Sequence, residues 1–451
     1  MTGSAVPEGP LPLSLNQEFL CAYDKGDTDG AFGHLHTLAY GWRIRGPLDL
    51  ATLQAALDDL VVRHETLRTS ITRGEERSQR IHPPSPVELE VRELLAEPSG
   101  RDTRAEEFTN EIEAVPFPVT RLPHLRAVLG RFDDQDAVLV LVTHHSATDG
   151  WSMQVLMRDL TLCYAARRGN APRELPPVGH YRDFTAWQHS DAAAAAVARP
   201  LAYWREQLAG AQILAVPTDV PKDPARPSAY AVHRFLIDRE LTAATLAFAK
   251  SARSTPFMVL LAAYVAQLHR LTGEADIVVP TFTSGRFQRE YADSVGPYFN
   301  FVALRVRLDG AATLRELLER VRKTCFDAYA NDIPFSLVVP EVPQVVTQFA
   351  AADRAVVAFE VLQSPDALDE TVVGDLTCTE IRRRTISQPV SCGIPDGGLW
   401  ATDILPSGEM ASSLKYDANL YDRASVEATA KEFRELLAEL VGAPDSPVAG
   451  G

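Results

Sequence analysis

The spacing of apolar residues along the chain predicts an alternation of helices and strands. Residues 50–63 carry apolar side chains three and four positions apart, which is the spacing of an amphipathic helix, and Asp49 precedes them as a candidate N-cap. Residues 137–142 form a continuous aliphatic run that is typical of a buried strand, and helical spacing returns over residues 151–164. This part of the chain therefore predicts a helix, a buried strand and a second helix that follows the strand after a short loop.

The second half of the chain repeats this alternation. The predicted elements are helices over about 255–271, 314–329 and 424–441 and a strand over 277–279. Between Arg167 and Tyr181, prolines and glycines interrupt the regular patterns. We therefore predict a mixed α/β (α+β) protein with two lobes, which comprise residues 1–175 and 176–451.

Composition narrows the possible functions. The net charge of -16 over 451 residues opposes binding to nucleic acid, whose phosphates it would repel. No apolar stretch approaches the roughly 18 uninterrupted residues of a membrane span, and the amino terminus lacks the pattern of a secretory signal. The five cysteines are odd in number and far apart, which argues against a disulfide framework or a zinc site. We expect a cytoplasmic protein without nucleic-acid or membrane partners.

Candidate chemistry lies in the loop between the predicted strand and the helix after it. Successive side chains of a strand point to opposite faces, so we expect only one of His144 and His145 to reach a substrate. A histidine exchanges protons near neutrality because its unperturbed pKa is about 6.5. Asp149 stands at the start of the next helix, and Gly150 allows the backbone to approach other groups closely. This arrangement suits acyl transfer.

Simpler interpretations of the same loop stay open at this point. An adjacent histidine pair is commonly a hydrogen-bonded structural feature, and Asp149 could be a helix cap alone. A metal site is the weaker alternative, because His144 and His145 lack the spacing of three or four that places two ligands on one helix face. No nearby cluster of carboxylates or thiols completes a ligand set, so we predict no metal.

A family signature covers this loop. Residues His144–Gly150, continued by Trp151 and Ser152, resemble the His-His-x-x-x-Asp-Gly motif of the condensation domains of nonribosomal peptide synthetases. Segments that resemble the family's other motifs follow in the expected order: Ser14–Leu20, Arg63–Thr69, Tyr181–Trp187, Val295–Asn300, Asn331–Phe335 and Leu414–Asp422. The fifth motif departs from the pattern at Pro297 and Tyr298, where bulky apolar residues are commoner. The seventh motif, around residues 354–363, is matched poorly.

The resemblance implies a fold and a reaction. The fold would be two chloramphenicol-acetyltransferase-like lobes arranged in a V, with a central tunnel and His145 near its middle. His145 would act as the general base, and His144 belongs to the same catalytic motif. The backbone N–H of Gly150 is a candidate donor to the oxyanion.

The resemblance also implies that Asp149 pairs with an arginine instead of touching substrate. Arg286 is the first choice for this partner and Arg68 is the second. The further residues expected to support the active site are Trp151, Ser152 and Asn300.

We expect a stand-alone condensation enzyme that joins an acyl or aminoacyl group to an amine or an alcohol. By resemblance, the acyl group would arrive as a thioester on the phosphopantetheine of a separate carrier protein, with no cofactor bound covalently to this chain. One alternative is an acyltransferase of the same fold that uses coenzyme A. A related epimerisation domain is disfavoured by the match over residues 296–300, and a recruitment domain without chemistry is disfavoured because the His-Asp-Gly run is complete.

Overall fold

The computed structural model of the chain describes residues 9–172, 175–286, 288–362 and 370–449. Its helices are α1 (Leu15–Ala22), α2 (Leu50–Arg63), α3 (Arg101–Glu113), α4 (Gly150–Arg167), α5 (Tyr181–Gln188), α6 (Asp191–Gln207), α7 (Arg239–Ser251), α8 (Pro256–Thr272), α9 (Leu314–Tyr329), α10 (Phe335–Val338) and α11 (Arg423–Gly442). Its strands are β1 (Thr37–Arg45), β2 (Thr69–Thr72), β3 (Ser78–Ile81), β4 (Glu88–Glu93), β5 (Leu125–Asp133), β6 (Asp136–His144), β7 (Ala215–Pro217), β8 (Tyr230–Ile237), β9 (Asp276–Thr283), β10 (Asn300–Arg307), β11 (Arg354–Leu362), β12 (Thr371–Val373), β13 (Leu376–Glu380), β14 (Gly398–Ile404) and β15 (Met410–Asp417). Two parts of the sequence predictions lie outside the described residues. They are residues 1–4, which lack the pattern of a secretory signal, and Gln363, which ends the segment of the seventh motif.

The apolar periodicity located the main elements. Helix α2 has the predicted bounds, and the Asp49 carboxylate caps it by accepting a hydrogen bond from the N–H of Thr52. Thr255 caps α8 in the same way through Met258, and Pro256 occupies the first turn, where its missing N–H costs no hydrogen bond. The predicted strand 137–142 lies within β6, and the predicted α9 and α11 are also present. These predictions are confirmed.

The first lobe is built on a six-stranded sheet in the order β12-β13-β1-β6-β5-β4. Strand β6 lies inside this sheet, antiparallel to both β1 and β5, which explains its uninterrupted aliphatic run. One face packs against α2 and α4, and the other packs against α3. Because β6 is fixed on both edges and on both faces, the loop that follows it starts from a rigid position.

The second lobe contains a five-stranded sheet in the order β7-β11-β14-β15-β8 and a separate β9–β10 pair. Its core is continuous from α8 and α9 to α11 and is centred on large buried side chains such as Phe359, Trp400 and Phe433. The architecture is the mixed α/β class that was predicted. None of the described helices is long and apolar enough to cross a membrane.

The chain crosses from the second lobe back to the first. Strand β13 pairs with β1 through residues 377–380, so strands from the later part of the sequence complete the first sheet. The segment after β13 is fixed to both lobes, because Arg384 and Arg234 both pair with the buried carboxylate of Glu113. The lobe boundary after residue 175 stays a prediction.

Candidate active site

The loop from His145 to Asp149 connects β6 to α4. Asp149 is the N-cap of α4, and its Oδ1 accepts hydrogen bonds from the N–H of Ser152 at 2.8 Å and from the hydroxyl of Ser152 at 2.7 Å. The side chains of Thr143 and Thr148 contact each other at 2.5 Å across the base of the loop. The loop is therefore closed at both ends by its own side chains.

His144 faces the interior of the protein. Its Nε2–H donates to the carbonyl of Gly33 at 3.2 Å, and its Nδ1 lies 2.7 Å from the hydroxyl of Ser146. A ring that donates at Nε2 and accepts at Nδ1 is neutral. Burial, and next the neighbouring ring of His124, lowers the pKa of His144 to about 3. With both nitrogens engaged and no exposed surface, His144 holds the loop in place and is closed off from solvent.

His145 is the partly exposed member of the pair. Its backbone N–H donates to the carbonyl of His36 at 2.9 Å, and its ring Nδ1 lies 2.8 Å from the carbonyl oxygen of Thr148. Because a carbonyl only accepts, Nδ1 carries the proton and Nε2 keeps its lone pair. Burial lowers the pKa of His145, against the opposing effects of the Thr148 carbonyl and the Asp149 charge. The ring is therefore suited to accept a proton at Nε2.

Two aromatic rings hold the His145 ring, and sequence reasoning found neither. His36 stacks on it with centroids 4.8 Å apart and an interplanar angle of 15°, and Phe299 packs against it at 4.8 Å and 60°. The His36 side chain is partly exposed, but its Nε2 is buried without a partner among the described residues, and desolvation holds the pKa of His36 well below the usual value. A lone histidine just before β1 gives no sequence signal of this stacking.

The structure pairs Asp149 with Arg286, the first-choice arginine. The guanidinium donates to both carboxylate oxygens, at 2.7 and 3.0 Å, and the two side chains are 4% and 3% exposed. Arg286 also donates to the Ser152 hydroxyl at 3.0 Å and lies 4.4 Å from the ring centre of Tyr298. The N–H of Tyr298 donates to Asp149 at 3.0 Å. The departure from the fifth motif at Tyr298 thus places an aromatic face on the arginine.

The other supporting residues also connect segments that are distant in sequence. Trp151 donates from its indole N–H to the carbonyl of Ala292 at 2.8 Å, which joins α4 to the segment before the fifth motif. Asn300 donates to Asp332 and accepts from the N–H of Phe335, so it connects the fifth and sixth motifs. Trp151 and Asn300 therefore fix the positions of the segments that surround the loop.

Arg68, the second-choice partner of Asp149, lies elsewhere. Its guanidinium donates to the carbonyls of Val61 and His82 within the first lobe and lies 3.8 Å from Glu65. Arg68 therefore fixes the segment after α2 and is not the arginine that pairs with Asp149.

Within the described ranges, no group of three or more His, Cys, Asp or Glu side chains is arranged to hold a metal ion. A cavity of about 1010 Å³ is lined by residues of α2, the end of α4 and the connection to α5, among them Ala55, Arg63 and Leu175. Neither His145 nor Asp149 lines this cavity.

Comparison with known proteins supports the same family. Residues 33–450 match the Condensation domain family. The SgcC5 protein from Streptomyces globisporus is 42% identical, with a TM-score of 0.93 over 97% of this chain and 100% of that chain. A linear gramicidin synthase from Brevibacillus parabrevis is 31% identical over 98% of this chain, which spans 8% of that relative's length. The first condensation domain of the calcium-dependent antibiotic synthetase, 19% identical with a TM-score of 0.77 over 98% of this chain and 99% of that domain, shares the fold. The chain therefore belongs to the condensation-domain family of the nonribosomal peptide synthetases.

Proposed function

We propose that this protein is an acyltransferase that joins a carrier-bound acyl group to an alcohol, with His145 as the general base. The observation that carries the proposal is the anchoring of His145 Nδ1 on the carbonyl of Thr148, because it leaves Nε2 unprotonated on a partly exposed ring. The lowered pKa of His145 keeps that nitrogen in its basic form at neutral pH. A proton acceptor of this kind contributes about 10²–10⁴-fold to the rate of such a reaction.

The reaction balances with the residues of the loop. The alcohol oxygen attacks the thioester carbonyl carbon while its proton passes to His145 Nε2. The tetrahedral intermediate then expels the carrier thiolate, which takes the proton back from His145 as the ester forms. The N–H of Gly150, at the first position of α4, is the proposed donor to the oxyanion, because the amino end of a helix favours negative charge.

Positioning is the second contribution. Holding the thioester and the nucleophile together removes the entropy cost of a bimolecular encounter, for which effective molarities of about 10⁵–10⁸ M set the upper scale. In this proposal Asp149 and Arg286 do not touch substrate and instead keep the loop in its reactive geometry.

An alcohol acceptor is favoured by one chemical argument and one observation. An alcohol is essentially un-ionised at neutral pH and needs the base, whereas an α-amine with a pKa of about 7.7–8.0 is already partly neutral. The SgcC5 structure is a complex with (R)-(-)-1-(2-naphthyl)-1,2-ethanediol and sucrose. A ligand with an aryl-substituted vicinal diol on a relative of 42% identity supports a hydroxyl-bearing acceptor for this chain as well.

The donor is proposed to arrive on the phosphopantetheine of a carrier protein in trans. Condensation domains of nonribosomal peptide synthetases take their substrates from carrier proteins in this way. The five cysteines are free and buried, which supports a reducing compartment, and we propose the cytoplasm.

The test is a product assay by mass spectrometry with an acyl thioester donor presented on a carrier protein or as coenzyme A. Each donor is offered an aryl 1,2-diol and the matching amino alcohol. Ester formed from the carrier-bound donor and lost in His145→Ala supports the proposal. Faster turnover of the coenzyme A donor would support the alternative acyltransferase, and amide formation alone would overturn the alcohol assignment. A lack of product in every combination would favour a recruitment role without chemistry.

A further inference from the structure

The segment between β13 and β14 is fixed to the first lobe on both sides of Cys392. On one side, the hydroxyl of Ser391 donates to the buried carboxylate of Glu113 at 2.8 Å. On the other side, the N–H of Gly393 donates to the carbonyl of Leu35 at 2.6 Å. Because both of its neighbours are anchored, Cys392 has a defined position in the folded chain.

Lys415 reaches Cys392 from the sheet of the second lobe. Its neighbours on β15, Leu414 and Tyr416, are buried in the core, so the Lys415 side chain points to the opposite face of the sheet. Its Nζ donates to the sulfur of Cys392 at 2.6 Å. Cys392 is 5% exposed and Lys415 is partly exposed, so the pair lies at the edge of the protein interior, where a small reagent can reach it.

The surroundings of Cys392 differ from those of the other cysteines. All five are free thiols, and the other four are Cys21, Cys163, Cys325 and Cys378. Burial raises the pKa of these four thiols to about 11 or 12. Buried structural thiols of this kind are inert, because the thiolate is the reactive form, whereas contact with a lysine is typical of reactive cysteines. Cys392 is therefore the candidate for sulfur chemistry.

The charge of Lys415 depends on the same contact. Burial by itself lowers the pKa of Lys415, but the interaction with Cys392, and next the charge of Glu113, raise that pKa above its usual value. Oxidation of the sulfur to a neutral sulfenic acid removes the larger of these two contributions. Burial then favours the neutral amine, which is the nucleophilic form of a lysine.

We propose that Cys392 and Lys415 form a covalent sulfur–nitrogen bridge when the protein meets hydrogen peroxide. The peroxide oxidises the thiol to a sulfenic acid and is itself reduced to water. Lys415 releases its ammonium proton to solvent, and the neutral amine attacks the sulfur. The sulfur–nitrogen bond forms as the sulfenic hydroxyl leaves with one amine hydrogen as a second water. The 2.6 Å separation already lies inside the about 3–3.5 Å range of near-attack geometry.

The bridge lies beside the catalytic loop. A methyl group placed on Gly393 would lie 3.6 Å from the Cα of His36, whose ring stacks on that of His145. Bond formation ties this segment to β15 and removes the positive charge of Lys415, which acts on both histidine rings. The pair is thus a peroxide-sensitive modification site next to the proposed general base, and it forms whether or not the protein transfers acyl groups.

The test is peptide mass mapping of the full-length folded protein after treatment with hydrogen peroxide. The treated protein is denatured, its free thiols are alkylated, and it is digested. The peptides that contain Cys392 and Lys415 should appear joined, with a mass two hydrogens below their sum, and should separate after treatment with dithiothreitol. The other four cysteines should be alkylated as completely as in the untreated protein.

Two variants and the unfolded protein serve as controls. Lys415→Arg keeps the positive charge but removes the nucleophilic amine, so the joined peptide should vanish and Cys392 should accumulate as sulfenic or sulfinic acid. Cys163→Ser removes a buried thiol in the core of the first lobe and should keep the bridge. Wild-type protein treated in denaturant should lose the bridge, because the two residues are 23 positions apart and the fold brings them into contact.

Three results would overturn the bridge. The first is a wild-type protein in which Cys392 is oxidised, or stays a free thiol, without any joined peptide. The second is a joined peptide that carries an additional oxygen atom, because the proposed bond joins sulfur directly to nitrogen. The third is equal modification of Cys392 and the four buried cysteines, which would mean that the contact with Lys415 does not affect the reactivity of the sulfur.

Discussion

The buried or half-buried carboxyl groups of Asp149, Glu360 and Glu380 differ in how completely the protein satisfies them. The Asp149 carboxylate is buried and accepts hydrogen bonds from Arg286, Ser152 and the N–H of Tyr298. Glu360 and Glu380 are partly exposed, yet desolvation raises the pKa of each carboxyl group to about 7, and the hydrogen-bond partner of Glu380 among the described residues is a neutral amide. A saturated buried charge holds a structure together, whereas an unsaturated one costs folding free energy unless a ligand completes it. This difference separates a carboxylate that stabilises the loop from carboxyl groups that cost folding free energy when they ionise.

The largest effect is expected at His145, which lies in the same loop as Asp149. His145→Ala should lower kcat by about 10²–10⁴-fold with the free energy of unfolding changed by about 1 kcal/mol at most, since the ring is partly exposed. Because burial lowers the pKa of His145, the decline of kcat/KM at low pH should have its midpoint below about pH 6.5. This decline should be absent in the variant. His269→Ala is the control, because its Nδ1 has the same 2.8 Å anchor to a carbonyl in the other lobe. Equal turnover in the two variants would remove the general base from the mechanism.

The next largest effect tests Asp149, whose carboxylate has a full set of hydrogen-bond donors, and its partner Arg286. Asp149→Ala and Arg286→Ala should each lose about 3–5 kcal/mol of unfolding free energy, because each leaves one buried charge without its partner. The double variant should lose less than the sum of the two single losses. Denaturant unfolding measures these values, and Asp445→Ala, which breaks an exposed pair with Arg315, is the control with an expected loss within about 0.5 kcal/mol. A loss at Asp149 as small as that of the control would contradict the supporting role.

A smaller effect is expected at His144. Its variant tests the support of the loop separately from the proposed general base, because His144 holds the loop and His145 is the base. His144→Ala leaves the carbonyl of Gly33 and the hydroxyl of Ser146 without their partner and should cost about 1–3 kcal/mol. The folded-state pKa of about 3 lies below the unfolded value of about 6.5, so this neutral ring stabilises the fold fully above 6.5 and progressively less as the pH falls toward 3. Unfolding measured from pH 8 to pH 4 should therefore show a shallower acid loss in His144→Ala. An identical slope in the variant and the wild type would mean that another group dominates acid unfolding.

The sequence predicts features that depend on local patterns or motifs, and it does not predict features that depend on tertiary contacts. Helix α2 was predicted to its end residues because its apolar spacing is local, and Arg286 was found because a motif resemblance supplied the need for an arginine. The return of β13 to the first sheet was not predicted, since local patterns do not encode which distant strand a short strand pairs with. Glu360 reads in the sequence as a polar residue of an amphipathic strand. Whether that face points to bulk water or to a second lobe depends on tertiary contacts, and the sequence alone does not specify them.

The smallest predicted effect is a gain in the free energy of unfolding instead of a loss. It tests Glu360 and Glu380. Glu360→Gln and Glu380→Gln should each stabilise the ligand-free protein by about 1–3 kcal/mol above pH 7, because the removed carboxyl group has a folded pKa of about 7 and an unfolded pKa of about 4.5. Below the unfolded pKa both states are protonated and the gain vanishes, so it should grow between about pH 4.5 and pH 7. Denaturant unfolding at pH 5 and pH 8 measures it, with Glu341→Gln, which breaks a surface pair with Arg205, as the control that shows no such growth. Destabilisation of both variants at pH 8 would mean that these carboxylates already have partners in the folded protein, and the contrast with Asp149 would disappear.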